Sequence, residues 1–198
     1  MYAADDGSAG CDGCAGEGSG GAAAEIARQA HVLRNEEGTG KAERYLLDAI
    51  RTARACGDRH AELVALEWLS TTLVFDGRRD EGVQHARHAR EIASQLYGYR
   101  HIKCSLNLAG LLSRHGEDGN REAERILLAL HEETTADGID SRYEDMRLQR
   151  LESVYRASGR TSEARQVVAE IEALRACGKG FTDVELANPQ QASGGRRE

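Results

Sequence analysis

The chain has 198 residues, with 26 Lys plus Arg against 33 Asp plus Glu and a formal net charge of −7. Its scattered basic residues disfavour nucleic acid as the main partner, and no apolar run approaches the ~20 residues of a membrane-spanning helix. The N-terminus also lacks the basic and apolar regions of a signal peptide. We therefore expect a cytoplasmic protein that binds neither nucleic acid nor membranes.

The two ends of the chain differ in composition from its middle. Residues 1–21 are rich in glycine and hold four acidic residues but no Lys or Arg. Such a segment buries too little apolar surface to offset its chain entropy, so we predict disorder there. Residues 179–198 contain Pro189, Gly194 and Gly195, and we predict that this tail is mostly disordered too. A helical repeat domain is expected over residues 22–178, which carry −3 of the net charge because the tails carry −4 and 0.

Glycines recur within that domain at intervals of 18 to 22 residues, at positions 38, 57, 77, 98, 116, 138, 159 and 178. Glycine is favoured just after a helix because it adopts left-handed backbone angles without a Cβ clash. The segments between them carry apolar residues at helical spacing, and none alternates at the period of a strand. The pattern predicts an all-α chain of eight helices, with Asp58, Asn120 and Thr161 as N-caps.

The predicted helices repeat in pairs. Small residues occur early in every second helix, at intervals of 40, 41 and 41 residues: Ala42, Gly82, Ala123 and Ala164. A period near 40 built from two antiparallel helices is typical of a solenoid, in which each pair buries its apolar face against the next.

The segment Leu151–Ala164, LESVYRASGRTSEA, resembles a tetratricopeptide repeat, with a leucine, then a tyrosine, a glycine and an alanine at that family's spacing. The same frame fits Leu69 to Gly82 and Leu108 to Ala123. The ~40-residue period is similar to that of kinesin-light-chain-like repeats. The resemblance implies a right-handed α-solenoid of about four antiparallel helix pairs with a concave groove.

The resemblance also implies a function. Proteins of this family bind other proteins or peptides in the groove, so we expect a non-enzymatic adaptor or regulatory module. A peptide of some acidic character would suit the cations among the groove positions, because arginine grips carboxylates bidentately. Carried over position by position, the groove residues are His31, Arg34, Glu67, Thr71, Val74, Lys103, Asn107, Arg114, Gln149, Ser153 and Arg156.

The cysteines leave one alternative open. Five cysteines without a secretory signal indicate reduced thiols. Cys11 and Cys14 have the spacing of a metal-binding or redox pair, so the chain is alternatively a small metal- or redox-responsive protein. Because that pair has no second pair of ligands nearby, and no nucleophile, base and acid occur with positional support, we expect no metal, no cofactor and no enzyme.

Overall fold

The computed structural model describes residues 19–97, 102–137 and 141–177. Within these ranges the chain is entirely helical and contains no strand, as predicted. The elements in chain order are α1 (Ser19–Val32), a short π-helix (Leu33–Glu37), α2 (Thr39–Cys56), α3 (Arg59–Phe75), α4 (Arg79–Tyr97), α5 (Ile102–Leu112), α6 (Gly116–Asp137), α7 (Ser141–Ala157) and α8 (Thr161–Ala176). None of these helices is both long and apolar enough to cross a bilayer.

The described helices run from Ser19 to Ala176, so α1 begins three residues before the domain predicted over 22–178. The remaining parts of the two predicted tails, residues 1–18 and 179–198, lie outside the described residues. Gly178, the last predicted helix stop, lies outside them too.

Glycine follows the helix ends as predicted, except that Gly116 is the first residue of α6. Positive φ angles occur at Gly38, Gly57, Gly77, Gly116 and Gly159. After α2, the N–H of Gly57 donates to Arg54 O over 3.2 Å and the N–H of Asp58 donates to Ala53 O over 2.9 Å. This pair of bonds satisfies the last carbonyls of the helix and reverses the chain. Gly98 and Gly138 lie outside the described residues.

Of the three predicted N-caps, one is confirmed. The side chain of Asp58 accepts a hydrogen bond from Ala61 N over 3.0 Å at the start of α3. Asn120 is wrong as a cap, because α6 begins earlier, at Gly116, and places Asn120 inside the helix. Glu117 and Asp118 in the first turn of α6 stabilise this earlier start through the helix dipole. Thr161 is also not a cap, since it is the first residue of α8 and Arg160 occupies the cap position.

The helices stack in pairs. Each helix from α2 to α8 packs against the one before it in sequence, and α1 also packs on α3 and α5 on α7. The odd-numbered helices therefore form one layer and the even-numbered helices the other. The four small residues at the ~40-residue period are all buried where the layers meet. We call the odd-numbered helices the inner helices and the even-numbered helices the outer helices.

The core consists of two apolar clusters. The N-terminal cluster contains Leu46, Leu66, Leu69 and their neighbours, and the C-terminal cluster contains residues such as Leu108 and Leu127. Helix α4 contributes to both, with its first half packing in the C-terminal cluster and its second half in the N-terminal one. The stack is therefore continuous, but its apolar core is divided near the middle.

Polar ties link each outer helix to the next outer helix or to the turn that precedes it. Their partners are 35 to 37 residues apart, about one helical turn less than the repeat. The N–H groups of arginine donate to glutamate over 2.6 to 2.7 Å in three ties, which link Glu43 to Arg78, Arg87 to Glu122 and Glu124 to Arg160. A fourth tie runs from Thr39 to Asp76 over 2.8 Å.

Candidate functional site: a cationic groove on the inner helices

An open groove of about 300 Å³ crosses the inner helices. It is lined from the π-helix, from α3, from α5 and from α7, so every repeat contributes to it. The lining residues are Arg34, Glu67, Trp68, Thr71, Lys103, Leu106, Asn107, Met146 and Arg150. Trp68, Leu106 and Met146 supply apolar surface, and the remaining side chains are polar or charged.

Arg34 lies at the N-terminal end of the groove. The π-helix that follows α1 carries it, and its guanidinium carbon is 5.1 Å from the ring centroid of Trp68 and 5.0 Å from that of Phe75. Phe75 is 74% exposed, so it forms the outer side of this stack. Contact with two aromatic rings stabilises the cation without neutralising its charge.

Glu67 and Lys103 occupy the middle of the groove. The Nζ atom of Lys103 is 3.7 Å from a carboxylate oxygen of Glu67, and the buried thiol of Cys104 donates to the other carboxylate oxygen over 3.4 Å. Burial, followed by the charge of Glu67, raises the pKa of the Cys104 thiol far above its ordinary value. Cys104 therefore stays protonated and acts as a hydrogen-bond donor, not as a nucleophile.

Arg150 lies at the C-terminal end, on α7, where its guanidinium packs against Gly110 of α5. Burial, and secondly the positive charge of Arg114, lowers the pKa of Arg150 from its ordinary value. An arginine remains charged at neutral pH even so. Two like charges therefore lie near each other at this end of the groove.

The groove is positively charged although the chain carries a net charge of −7. Its lining holds three cations, Arg34, Lys103 and Arg150, against the single carboxylate of Glu67. Among the described side chains, neither Arg34 nor Arg150 pairs with a carboxylate. Elsewhere many arginines do, namely Arg28, Arg51, Arg54, Arg59, Arg78, Arg87, Arg121, Arg147, Arg156, Arg160 and Arg175.

Five of the eleven residues predicted to line the groove are brought together there, namely Arg34, Glu67, Thr71, Lys103 and Asn107. The other six lie around it. His31 makes an edge-on contact with Trp68, with ring centroids 6.0 Å apart. Arg114 is exposed at the end of α5 and adds its charge to that of Arg150. Val74 lies close to Gly82, between α3 and α4.

The three predicted residues of α7 lie beside the groove lining. Gln149 donates to the buried carboxylate of Asp145 over 3.1 Å, Arg156 pairs with Glu152, and Ser153 is exposed. The structure instead places Met146 and Arg150 in the groove. Met146 and Arg150 each lie three residues before a predicted residue, Gln149 and Ser153. Three residues are nearly one helical turn, so the side-chain directions of each pair differ by about 60° around the helix.

Sequence reasoning also missed Trp68 and Leu106. Trp68 is the only tryptophan of the chain, and it directly follows the predicted Glu67, so a wider stripe on α3 would have included it. Leu106 reads as a core residue and is 2% exposed. Leu106 lines the groove only because α3 and α5 leave a space between them, and the spacing of residues in the sequence does not reveal that space.

The described residues hold no group of three or more His, Cys, Asp or Glu side chains suited to a metal ion. The predicted pair Cys11 and Cys14 lies outside them. Cys104 and Cys177 are free thiols.

Comparison with known proteins relates the fold to a solved structure. No protein-family model matches the chain, and no curated protein matches it either. The crystal structure of BtubC (BKLC) from P. vanneervenii matches with a TM-score of 0.67 and 18% sequence identity, over 89% of this chain and 68% of that one. That neighbour is a tetratricopeptide-repeat-like solenoid.

The chain has a tetratricopeptide-repeat-like fold.

At this level of identity the likeness concerns the fold alone. In such a solenoid the inner helices form the concave face, which is where this chain places its groove. The function of the solenoid must be argued from the groove itself.

Proposed function

We propose that this solenoid is a non-enzymatic adaptor or regulator of the cytoplasm that binds an acidic peptide segment of a partner protein in its groove. The observation that carries the proposal is the charge of the lining. Neither Arg34 nor Arg150 has a carboxylate partner in the part of the chain that the structure describes, although the chain has more acidic than basic residues. An acidic ligand would supply the missing carboxylates.

The apolar residues of the groove lining also suit a peptide ligand. Trp68, Leu106 and Met146 lie between the two arginines in the order of the helices. A volume of about 300 Å³ is at the lower end of ligand sites and suits one or two side chains, not a folded domain. The expected ligand is therefore a short segment with an apolar side chain between acidic ones.

Protein is a better partner than nucleic acid for this surface. Nucleic-acid binding draws most of its affinity from many Lys and Arg contacts to phosphates. The groove offers three cations, and the negative charge of the whole chain would repel a phosphate backbone at longer range. A segment with two or three carboxylates matches the number of cations available.

Selection from a random peptide library tests the proposal. The full-length chain is immobilised, bound peptides are sequenced, and the affinity of the best one is measured for wild type and for the double variant Arg34→Glu/Lys103→Glu. We expect peptides rich in Asp and Glu around an apolar residue. Reversal of two cations should weaken binding by about 100-fold, since each lost charge pair costs roughly 1.5–3 kcal/mol.

The matched control is Arg125→Glu/Arg165→Glu. Both residues are exposed on outer helices, α6 and α8, and the change in net charge is the same as in the groove variant. This control should bind as wild type does. Equal losses in both double variants, or selected peptides without acidic residues, would refute the proposal.

A further inference from the structure

We propose that Arg150 forms a carboxylate-binding subsite at the C-terminal end of the groove, and that Gly110 is the residue that makes room for it. The subsite would take an Asp or Glu side chain of the peptide. This inference rests on the proposed function, because it says which residues hold the acidic part of the ligand. The resemblance to tetratricopeptide repeats implied Arg114 as a groove residue but gave no role to Arg150 or Gly110.

The geometry of the guanidinium group supports the subsite. A Cβ atom added to Gly110 would lie 3.0 Å from Cζ, 3.1 Å from Nη1 and 3.2 Å from Nε of Arg150. Three atoms of one plane at nearly equal distances mean that the flat face of the guanidinium covers the glycine. Its N–H groups point along the plane, so its edge remains available for two parallel bonds to a carboxylate.

The charges around this guanidinium are not balanced. No carboxylate among the described side chains pairs with Arg150 or with Arg114. Burial and, second, the positive charge of Arg114 lower the pKa of Arg150. The contact with Gly110 also removes part of its hydration. A carboxylate bound to Arg150 would balance its charge and replace lost water contacts, so this end of the groove favours an anion.

Gly110 does not serve a backbone purpose. It lies within α5 and does not have a positive φ angle, so any residue can adopt its conformation. A glycine inside a helix makes that helix less stable than an alanine would, because glycine loses more backbone freedom on folding. The guanidinium of Arg150 occupies the space next to Gly110, and a larger residue at position 110 would fill that space.

Gly110→Ala is therefore the decisive variant. The added methyl group would displace only the end of a flexible arginine, so the variant should fold with a melting temperature equal to or above that of wild type. The probe is a fluorescent peptide with one leucine between glutamates, and a second peptide with glutamines in their place is the ligand control. We expect Gly110→Ala and Arg150→Gln each to weaken binding of the glutamate peptide by about tenfold or more.

Two matched variants accompany the test. Gly40→Ala is the same change inside α2, where an added Cβ meets nothing within 4 Å. Arg125→Gln removes an exposed arginine outside the groove. Both should bind the glutamate peptide as wild type does, and the glutamine peptide should bind each protein weakly.

The possible failures are distinguishable. If the glutamate peptide binds wild type and loses affinity in Arg34→Glu/Lys103→Glu but not in Gly110→Ala or Arg150→Gln, the subsite is wrong and the groove function stands. If the glutamate peptide binds wild type no better than the glutamine peptide, both proposals fail. In ¹⁵N-labelled full-length protein, a shift of the Arg150 Nε–H signal on titration with the glutamate peptide is a direct readout of the subsite.

Discussion

Single glycines have three separate roles in this chain. Gly57 ends a helix with a positive φ angle, and Gly110 leaves room for a guanidinium. Gly82 instead lets two helices approach each other. A Cβ atom added there would lie 2.7 Å from the backbone oxygen of Ser70 and 2.7 Å from Cγ2 of Val74. The contact with a backbone atom cannot be relieved by rotating a side chain.

Gly82→Ala should therefore destabilise the protein by about 1–3 kcal/mol, because α3 and α4 must move apart to accept the methyl group. Gly40→Ala, in open space on α2, should instead stabilise it by roughly 0.5–1 kcal/mol. Urea denaturation followed by circular dichroism measures both changes. A stability gain at Gly82 would show that the two helices are free to separate.

Much of the glycine pattern was predictable and part of it was not. The regular intervals predicted the helix ends, and Gly38, Gly57, Gly77 and Gly159 confirm them with positive φ angles, whereas Gly116 is the first residue of α6. Gly82 was predicted as a small residue of the repeat. The role of Gly110 depends on which residue of α7 lies opposite, and one sequence does not contain that contact between helices.

At the scale of elements, α7 is stabilised by a partly buried ion pair. Arg147 is buried and donates two hydrogen bonds to the carboxylate of Glu144, over 2.8 Å and 2.7 Å. Burial by itself raises the pKa of Glu144, but the bonds and charge of Arg147, together with the nearby His131, outweigh it and hold the pKa below its ordinary value. Folding is therefore linked to the ionised form of this carboxylate.

This linkage predicts an acid-sensitive contribution to stability. A carboxylate whose pKa is lowered on folding stabilises the fold above its unfolded pKa, and the effect is lost as the pH falls through its folded value. Arg147→Met should cost about 2 kcal/mol near neutral pH, and the cost should shrink as the pH is lowered below the ordinary value of 4.5. Denaturation curves of both proteins at several pH values measure the difference.

Arg121→Met is the control for this experiment. Arg121 pairs with Glu117 on α6, but both side chains are largely exposed, so the change should leave stability nearly unaltered at any pH. If the cost of Arg147→Met does not depend on pH, Arg147 acts through packing and its 3.4 Å contact with Leu127 O, not through its charge.

The register of the elements explains which part of the groove was predictable. From α3 to α5 the matching groove positions are 36 residues apart, Glu67 with Lys103 and Thr71 with Asn107, and these were all predicted. From Asn107 to Arg150 the interval is 43 residues. Helix α6 is 22 residues long where α4 has 19. The repeats are therefore unequal in length. Positions carried over from the family then fall on residues of α7 that lie next to the groove lining and not in it.

At the scale of the whole molecule, the divided core has consequences for unfolding. Leu69 belongs to the N-terminal cluster and Leu108 to the C-terminal cluster, and both are almost completely buried. In stacked repeats, stability is a sum of local terms, so each half should respond mainly to its own cavity. The groove lies across the junction between these halves.

Leu69→Ala and Leu108→Ala should each cost about 2–5 kcal/mol, but in different places. Hydrogen exchange measured by mass spectrometry should show faster exchange in α1 to α3 for Leu69→Ala and in α5 to α7 for Leu108→Ala. The same uniform increase in both variants would mean that the solenoid unfolds as one cooperative unit, and that the two clusters are not energetically separate.

The polar ties join residues at a nearly constant separation in sequence, close to the length of one repeat. Each of the three arginine–glutamate ties links an outer helix to the next outer helix or to the turn that precedes it, at a separation of 35 or 36 residues. The first and third ties have the same arrangement two repeats apart, with Glu43 and Glu124 matching each other and Arg78 and Arg160 matching each other. Duplication of a pair of repeats would therefore supply each of these glutamates with an arginine again. An insertion of half a repeat would bring an inner helix where an outer one is needed, and the arginines and glutamates on either side would lose their partners.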